Sequence, residues 1–200
     1  MTPTTIKKMK YIDVRFNEEE INYIKEMVGT TLARIKCDYS YIPCRAYGFV
    51  GVITDKNTYE FSNQIQVMDF FGDKEDVADF RLRSCLESQI ESAFLNGKLE
   101  DVPINKIIKE IDVVNENQKL FESEIQTYDV WVTRGVIFKL IDGEEISIEK
   151  SVWFSEVIEL ERGVDLLNKF TPVEEFTEEF TEGCRGKCSR TIITYKDENL

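Results

Sequence analysis

The sequence predicts an α+β fold in which antiparallel β-hairpins pack against amphipathic helices. Three observations predict it: segments where apolar and polar residues alternate, segments where apolar residues recur every three to four positions, and a composition able to build a core. Hydrophobic residues make up 42% and aromatic residues 12% of the 200-residue chain. A chain of that size buries roughly 70% of its unfolded surface, so it folds without the help of disulfides or metal. One compact domain over residues 1–200 is expected.

Lys10 to Phe16 alternates, with Ile12, Val14 and Phe16 on one face of a strand. Asn17 followed by Glu18, Glu19 and Glu20 is a helix start, an N-cap with a glutamate three positions on. Ile21, Ile24 and Val28 line that helix and Gly29 closes it. Thr30 to Cys37 reads as a strand, with helix the competing assignment. Gly48 to Asn63 reads as a hairpin turning at Asp55-Lys56-Asn57, and Ile65, Val67 and Met68 continue into a further strand that ends at Gly72. Asp73 is read as the cap of a second helix, with Val77, Phe80, Leu86, Ile90 and Phe94 as its core stripe, Arg81 and Arg83 exposed, and Gly97 at its end.

The helical spacing of Ile104, Ile107, Ile108, Ile111, Val114, Phe121 and Ile125 predicts helix over much of Ile104 to Gln126, although Ile111 to Val114 also fits a short strand followed by an Asn115 cap. Tyr128 to Phe138 is rich in β-branched and aromatic residues and runs into Asp142-Gly143, a strong hairpin signal, with Ile146 and Ile148 on the return arm. Val152, Phe154, Val157, Ile158 and Leu160 supply one or two more strands. Helix returns at Val164 to Phe170 and again at Thr171-Pro172-Val173-Glu174, where Val173, Phe176 and Phe180 share a face and Gly183 ends the segment. Ile192, Ile193 and Tyr195 form a last short strand.

Laid over each other, Gly48 to Ser62 and Gly135 to Glu149 match in apolar pattern, and Ile12-Asp13-Val14 echoes Ile111-Asp112-Val113 before an Asn-Glu pair. This suggests an internal duplication, residues 1–100 and 101–200 being weakly similar halves about a pseudo-twofold axis, each half-sheet on its own helix.

The chain has no histidine. Ser-His-Asp and Cys-His chemistry and His-ligated metal centres are therefore excluded. Phosphate loops, the dinucleotide fingerprint, the nucleophile elbow and the acid-x-lysine half of a nuclease site lack their motifs as well. The net charge of −13 disfavours direct binding to nucleic acid or to an anionic membrane. With no apolar run of spanning length and no secretion signal, a cytoplasmic protein with reduced cysteines is expected.

Cys184-Arg-Gly-Lys-Cys188 places two thiols beside Arg185, Lys187 and Arg190, whose charge favours thiolate. Together with Cys37 and Cys44 they form the candidate metal set, zinc being the implied ion; otherwise no cofactor is expected. Trp131, Asp142, Glu144, Trp153 and Glu156 form a candidate pocket for a sugar or cationic group by acid chemistry. The leading functional expectation is a non-catalytic binding or assembly module that takes a protein partner or a second copy. The alternatives are a carboxylate-based or Mg2+-dependent enzyme or sugar-binding pocket, and an acidic nucleic-acid mimic that blocks a DNA-binding partner.

Overall fold

The computed structural model describes residues 8–38, 45–95, 97–178 and 183–197. The first strand, β1 (Lys10–Val14), leads to Asn17, and helix α1 (Glu18–Met27) follows as expected. The Asn17 side chain accepts hydrogen bonds from Glu19 N (2.9 Å) and Glu20 N (3.0 Å), and the Glu20 carboxylate accepts from Asn17 N (2.6 Å). Ile24 and Met27 are the buried face of α1.

Most of the rest is antiparallel strand: β2 (Thr31–Cys37), β3 (Arg45–Tyr47), β4 (Phe49–Thr54), β5 (Thr58–Phe70), β6 (Asp73–Cys85), β7 (Glu100–Glu122), β8 (Ile125–Leu140), β9 (Glu145–Lys150), β10 (Val157–Gly163) and β11 (Cys184–Lys196). Going round the molecule, β4 pairs with β2, β2 with β7, β7 with β8, β8 with β9, β9 with β10, and β10 with β3. Strand β3 continues into β4 through Gly48 alone, so the series returns to its start and closes as a barrel. Gly48 has φ +75°, which only glycine adopts cheaply. Its N–H donates to the Glu156 carbonyl (2.9 Å) and its carbonyl accepts from Asn63 N (2.8 Å), so the neighbour along this edge changes here from β10 to β5. Ile35, Val50, Val52, Ile108, Val136, Phe138, Ile148 and Ile158 fill the interior, in one core with Phe61 and Phe80 and with α1 through Ile24 and Met27.

Two features project from the barrel. The outer lengths of β7 and β8 carry β11 and β1 on their free sides, making a sheet in the order β11–β7–β8–β1 in which only the β1–β8 pair is parallel. The tip of the β5–β6 hairpin lays Met68, Phe70 and Phe71 against Val130, Val132, Ile12, Val14 and Trp153. A third small core, Val114, Ile137, Leu166 and Phe170, seals the outside of the barrel under a 3-10 turn at Leu166–Lys169.

The α+β expectation is therefore overturned in favour of a mostly antiparallel β-structure, and each error has a local cause. The helix expected over Asp73 to Gly97 is β6 followed by a 3-10 turn at Glu87–Gln89. Asp73 caps nothing: it is the first residue of the return arm of a hairpin in which Phe70 pairs with Asp73 around Phe71 (φ +49°) and Gly72 (φ +117°). The residues that mimicked a helix stripe belong to two cores, Val77 to the hairpin-tip core and Phe80 to the barrel. The helix expected over Ile104 to Gln126 is β7 and the start of β8, joined at Ser123 (φ +57°) and Glu124. Register shifts between Ile108 and Glu110, Val114 and Asn115, and Leu120 and Phe121 break the alternation of β7 into an apparent 3.6-residue period. Ile111 to Val114 is strand, and Thr30 to Cys37 is strand as read.

The tail helix reduces, among the described residues, to α2 (Glu175–Glu178); Phe180 lies outside them. The last strand is far longer than Ile192 to Tyr195. The hairpins at Asp55 and Asp142 form as read, within one continuous sheet. Helix α1 has no counterpart in the second half, since Asn115 lies in mid-strand where its counterpart Asn17 caps α1.

Candidate functional site: a buried charge cluster and an open strand edge

On the outer face of the sheet, between the two satellite cores, four charged side chains gather out of water, Glu116, Arg134, Glu149 and Lys150, and the partly buried Arg190 joins them. Arg134 is placed there by a bulge. Asn115 pairs with Thr133 and Val114 with Gly135, leaving Arg134 as the extra residue of β8. Its Nε donates to Glu149 Oε1 (2.9 Å), which also accepts from Thr171 N (3.0 Å). Arg190 Nη2 donates to Glu116 Oε1 and to the Thr171 carbonyl, both at 2.6 Å, and its guanidinium lies 5.5 Å from the Phe170 ring. Gln118 joins Glu116 Oε2 (3.1 Å) to the Trp153 indole N–H (3.0 Å). Lys150 Nζ donates to the Ala78 carbonyl (2.8 Å) and sits 4.5 Å over the Trp153 ring.

Burial governs the proton affinities. It lowers Lys150 to about 7, with Arg134 adding to the effect. It raises the Glu149 carboxyl, while Arg134 pulls the other way. Next to this cluster is a cavity of about 30 Å³ with Glu116, Arg134, Trp153, Pro172, Val173 and Phe176 among its walls. A cavity of that size has room for water and is too small for a sugar ring.

The residues singled out from the sequence do not converge. Trp131 is on β8 opposite Asn117, with the Arg15 guanidinium 4.6 Å over its ring. Trp153 packs instead with Val130 and Val132, on the other face of β8. Asp142 and Glu144 are in the β8–β9 turn, where Lys106 donates to both and Arg162 grips Glu144 at 2.6 and 2.8 Å, holding its carboxyl down at about 2. Glu156 accepts from Ile65 N (3.3 Å) and receives a hydrogen bond from Tyr47.

Cys184 and Cys188 are four positions apart on β11, about 13 Å at the rise of a strand. A zinc ion holds its thiolates at roughly 2.3 Å, so these two cannot share one. The thiolate-favouring environment expected for Cys188 is reversed: burial pushes it up to about 12, with Glu116 beside it. Cys37 is buried in the barrel core, and Cys44 lies outside the described residues. Among the described residues no three acids or cysteines are grouped to hold a metal ion.

Sequence reasoning missed the cluster, although one signal was present. The even-numbered positions from Val130 to Leu140 are apolar except Arg134, and a charge in an apolar phase marks a bulge or a buried partner. Glu116 and Gln118 were hidden by the helical reading of β7.

The second notable feature is the edge of β11. Among the described residues this strand pairs only with β7. From Thr191 to Thr194 it is exposed on both faces, Ile192 at 42% and Ile193 at 44%. It carries Arg185, Lys187, Arg190 and Lys196 and no acid, and Lys119 of β7 stands opposite Lys187.

Among the described residues no helix is long and apolar enough to cross a membrane. No family model, no curated protein and no solved structure matches this chain.

Proposed function

We propose that the protein is a binding module that takes an extended, acidic segment of a protein partner as an added strand along the free edge of β11. The observation that carries this is Thr191 to Thr194, held in strand conformation by β7 yet exposed on both faces, with neighbouring isoleucines giving each face apolar surface. Main-chain hydrogen bonds along such an edge supply affinity, and alternate side chains supply specificity. Cations on a free edge also guard against stray pairing, but two adjacent exposed isoleucines work against that protection.

The charge pattern selects the occupant. Arg190 is committed to Glu116 and Arg185 lies 3.9 Å from Glu124, which leaves Lys187 and Lys196 for cross-strand pairing with acids. A second copy would set this cationic strand against itself. The net charge of −13 opposes an acidic partner only at long range, and salt screens it beyond about 8 Å. Elsewhere acids and cations are interleaved, as in Glu87 with Arg34 and Lys36 or Glu159 with Arg45, which favours this reading over a continuous duplex-like stripe.

Amide hydrogen exchange on the full chain, with an octapeptide of alternating Val and Glu and its Val–Lys counterpart, tests the proposal. The Val–Glu peptide is expected to slow exchange along β11 and the Val–Lys peptide to leave it unchanged. A Lys187→Glu, Lys196→Glu variant should lose the effect. Protection on β1 or β6 instead, or none, overturns the proposal. So does a dimer in sedimentation equilibrium that protects β11, because the occupant is then a second copy.

A further inference from the structure

A cavity of about 410 Å³ lies between the β1–α1 connection and the strands β7, β8 and β11. Small-molecule sites usually span about 300–1,000 Å³. The bulge that leaves Arg134 unpaired sets Asn115 of β7 directly opposite Thr133 of β8, and both residues form part of the cavity wall. Phe16 N donates to Thr133 Oγ1 (2.9 Å), and the threonine hydroxyl donates in turn to Asn115 Oδ1 (2.9 Å). This relay fixes the carboxamide with its oxygen toward Thr133 and its NH2 away from it. Asn115 is only 4% exposed. Its NH2 has no acceptor among the described residues. In contrast to Arg134 Nη2 it is not sealed from solvent, so the surface it retains opens into the cavity that it lines.

We propose that this cavity is a binding site for a small uncharged molecule that presents a carbonyl oxygen on an apolar body, the oxygen accepting from the Asn115 NH2. The carbonyl follows from Asn115, because a carboxamide nitrogen only donates and a largely buried donor is stabilised by an acceptor. Tyr195, whose hydroxyl has no hydrogen-bond partner among the described residues, lines the same cavity and supplies a second donor. The absence of net charge follows from Asp13 and Arg15, the charged residues of the described wall, which are engaged with each other. Arg15 donates from Nε to Asp13 Oδ1 (2.9 Å) and from Nη2 to Asp13 Oδ2 (2.5 Å), with its guanidinium 4.6 Å over the Trp131 ring. A carboxylate or ammonium ligand would lose hydration here without gaining an uncommitted opposite charge. The apolar body follows from Phe16, Ile21 and Ile193. Ile193 is 44% exposed, and covering it removes apolar surface from water. The ligand takes the face of β11, whereas an added strand takes its edge, so the two sites are separable.

The test is an NMR titration of the full chain with cyclohexanecarboxamide, cyclohexanecarboxylate and cyclohexylammonium at matched ionic strength, read at the Asn115 side-chain NH2 and at the Phe16 N–H, which reports on the Thr133 relay. The carboxamide is expected to shift both signals saturably, and the two ions to bind at least about tenfold more weakly. Asn115→Asp keeps the acceptor for Thr133 and removes the donor, while Ile193→Trp fills the cavity from an exposed position. Both variants are checked for the native circular dichroism spectrum and read at the Phe16 N–H, and affinity for the carboxamide should fall at least about tenfold in each. If Asn115→Asp does not fold, Ile193→Trp decides alone. A non-saturable response to the carboxamide, a carboxylate or ammonium that binds as tightly, or undiminished binding in either folded variant overturns the proposal.

Discussion

At the scale of the single residue, burial without enough opposite charge is what distinguishes this molecule, and Lys150 shows it most directly. Folded, it holds its proton with a pKa of about 7, against an ordinary 10.5. Between those values the unfolded chain binds more protons than the native one, so stability rises with pH across that window. Urea unfolding should give a native state up to about 2 kcal/mol more stable at pH 8.5 than at pH 6.5. Lys150→Met should flatten that dependence. Cys188 makes the complementary case. With its thiol raised to about 12 from an ordinary 9, its alkylation by iodoacetamide at pH 8 should run about a thousandfold slower in the native protein than in urea, as measured by mass spectrometry. Neither shift was legible in the sequence, where Arg185, Lys187 and Arg190 suggested the opposite for Cys188. Which neighbour faces a thiol depends on strand register, and register places Cys188 against Gln118 on the face that holds Glu116.

At the scale of the element, local signals were readable where they act within a few residues. The Asn17 capping box is such a signal, and Asn17→Ala should cost about 1 kcal/mol in urea unfolding. Glu20 does more than the motif announces. Its carboxylate, almost wholly buried, accepts from Asn17 N, from Leu82 N (3.0 Å) and from Arg81 (3.3 Å), tying α1 to β6. Glu20→Ala is therefore expected to cost more than Asn17→Ala, about 2–3 kcal/mol, because it orphans buried donors. The hairpins at Asp55 and Asp142-Gly143 announced themselves through turn chemistry, whereas Phe71-Gly72 and Ser123-Glu124 make equally tight turns without a usual residue at the first position. With neither turn recognised as a hairpin, β6, and β7 with the start of β8, passed for two helices. Gly135, beside the bulge, was read only as a match for Gly48. An added Cβ there would collide with the Ile148 carbonyl oxygen and come within 2.9 Å of Glu149 Cα. Gly135→Ala should destabilise the protein by about 1–3 kcal/mol through displacement of β9.

At the scale of the whole molecule, the pairings that close the fold join distant parts of the chain, and this is why the architecture could not be read from local pattern. The duplication placed a boundary near residue 100, and the sequence on either side supported it through two similar hairpins. Yet β1 pairs with β8, β2 with β7 and β3 with β10, so three of the pairings that build the barrel and its outer sheet cross that boundary. The barrel core likewise mixes Val50 and Phe61 from one side with Phe138 and Ile158 from the other. Each half taken alone would expose the inner faces of its strands and leave β2 or β7 an open edge, a surface no isolated curved sheet buries. Separate chains of residues 1–99 and 100–200 are accordingly expected to lack cooperative urea transitions by circular dichroism, and their mixture to regain one. A cooperative transition in either half alone would show that the boundary seen in the sequence is a folding boundary after all, and that the cross-boundary strands dock onto a preformed unit.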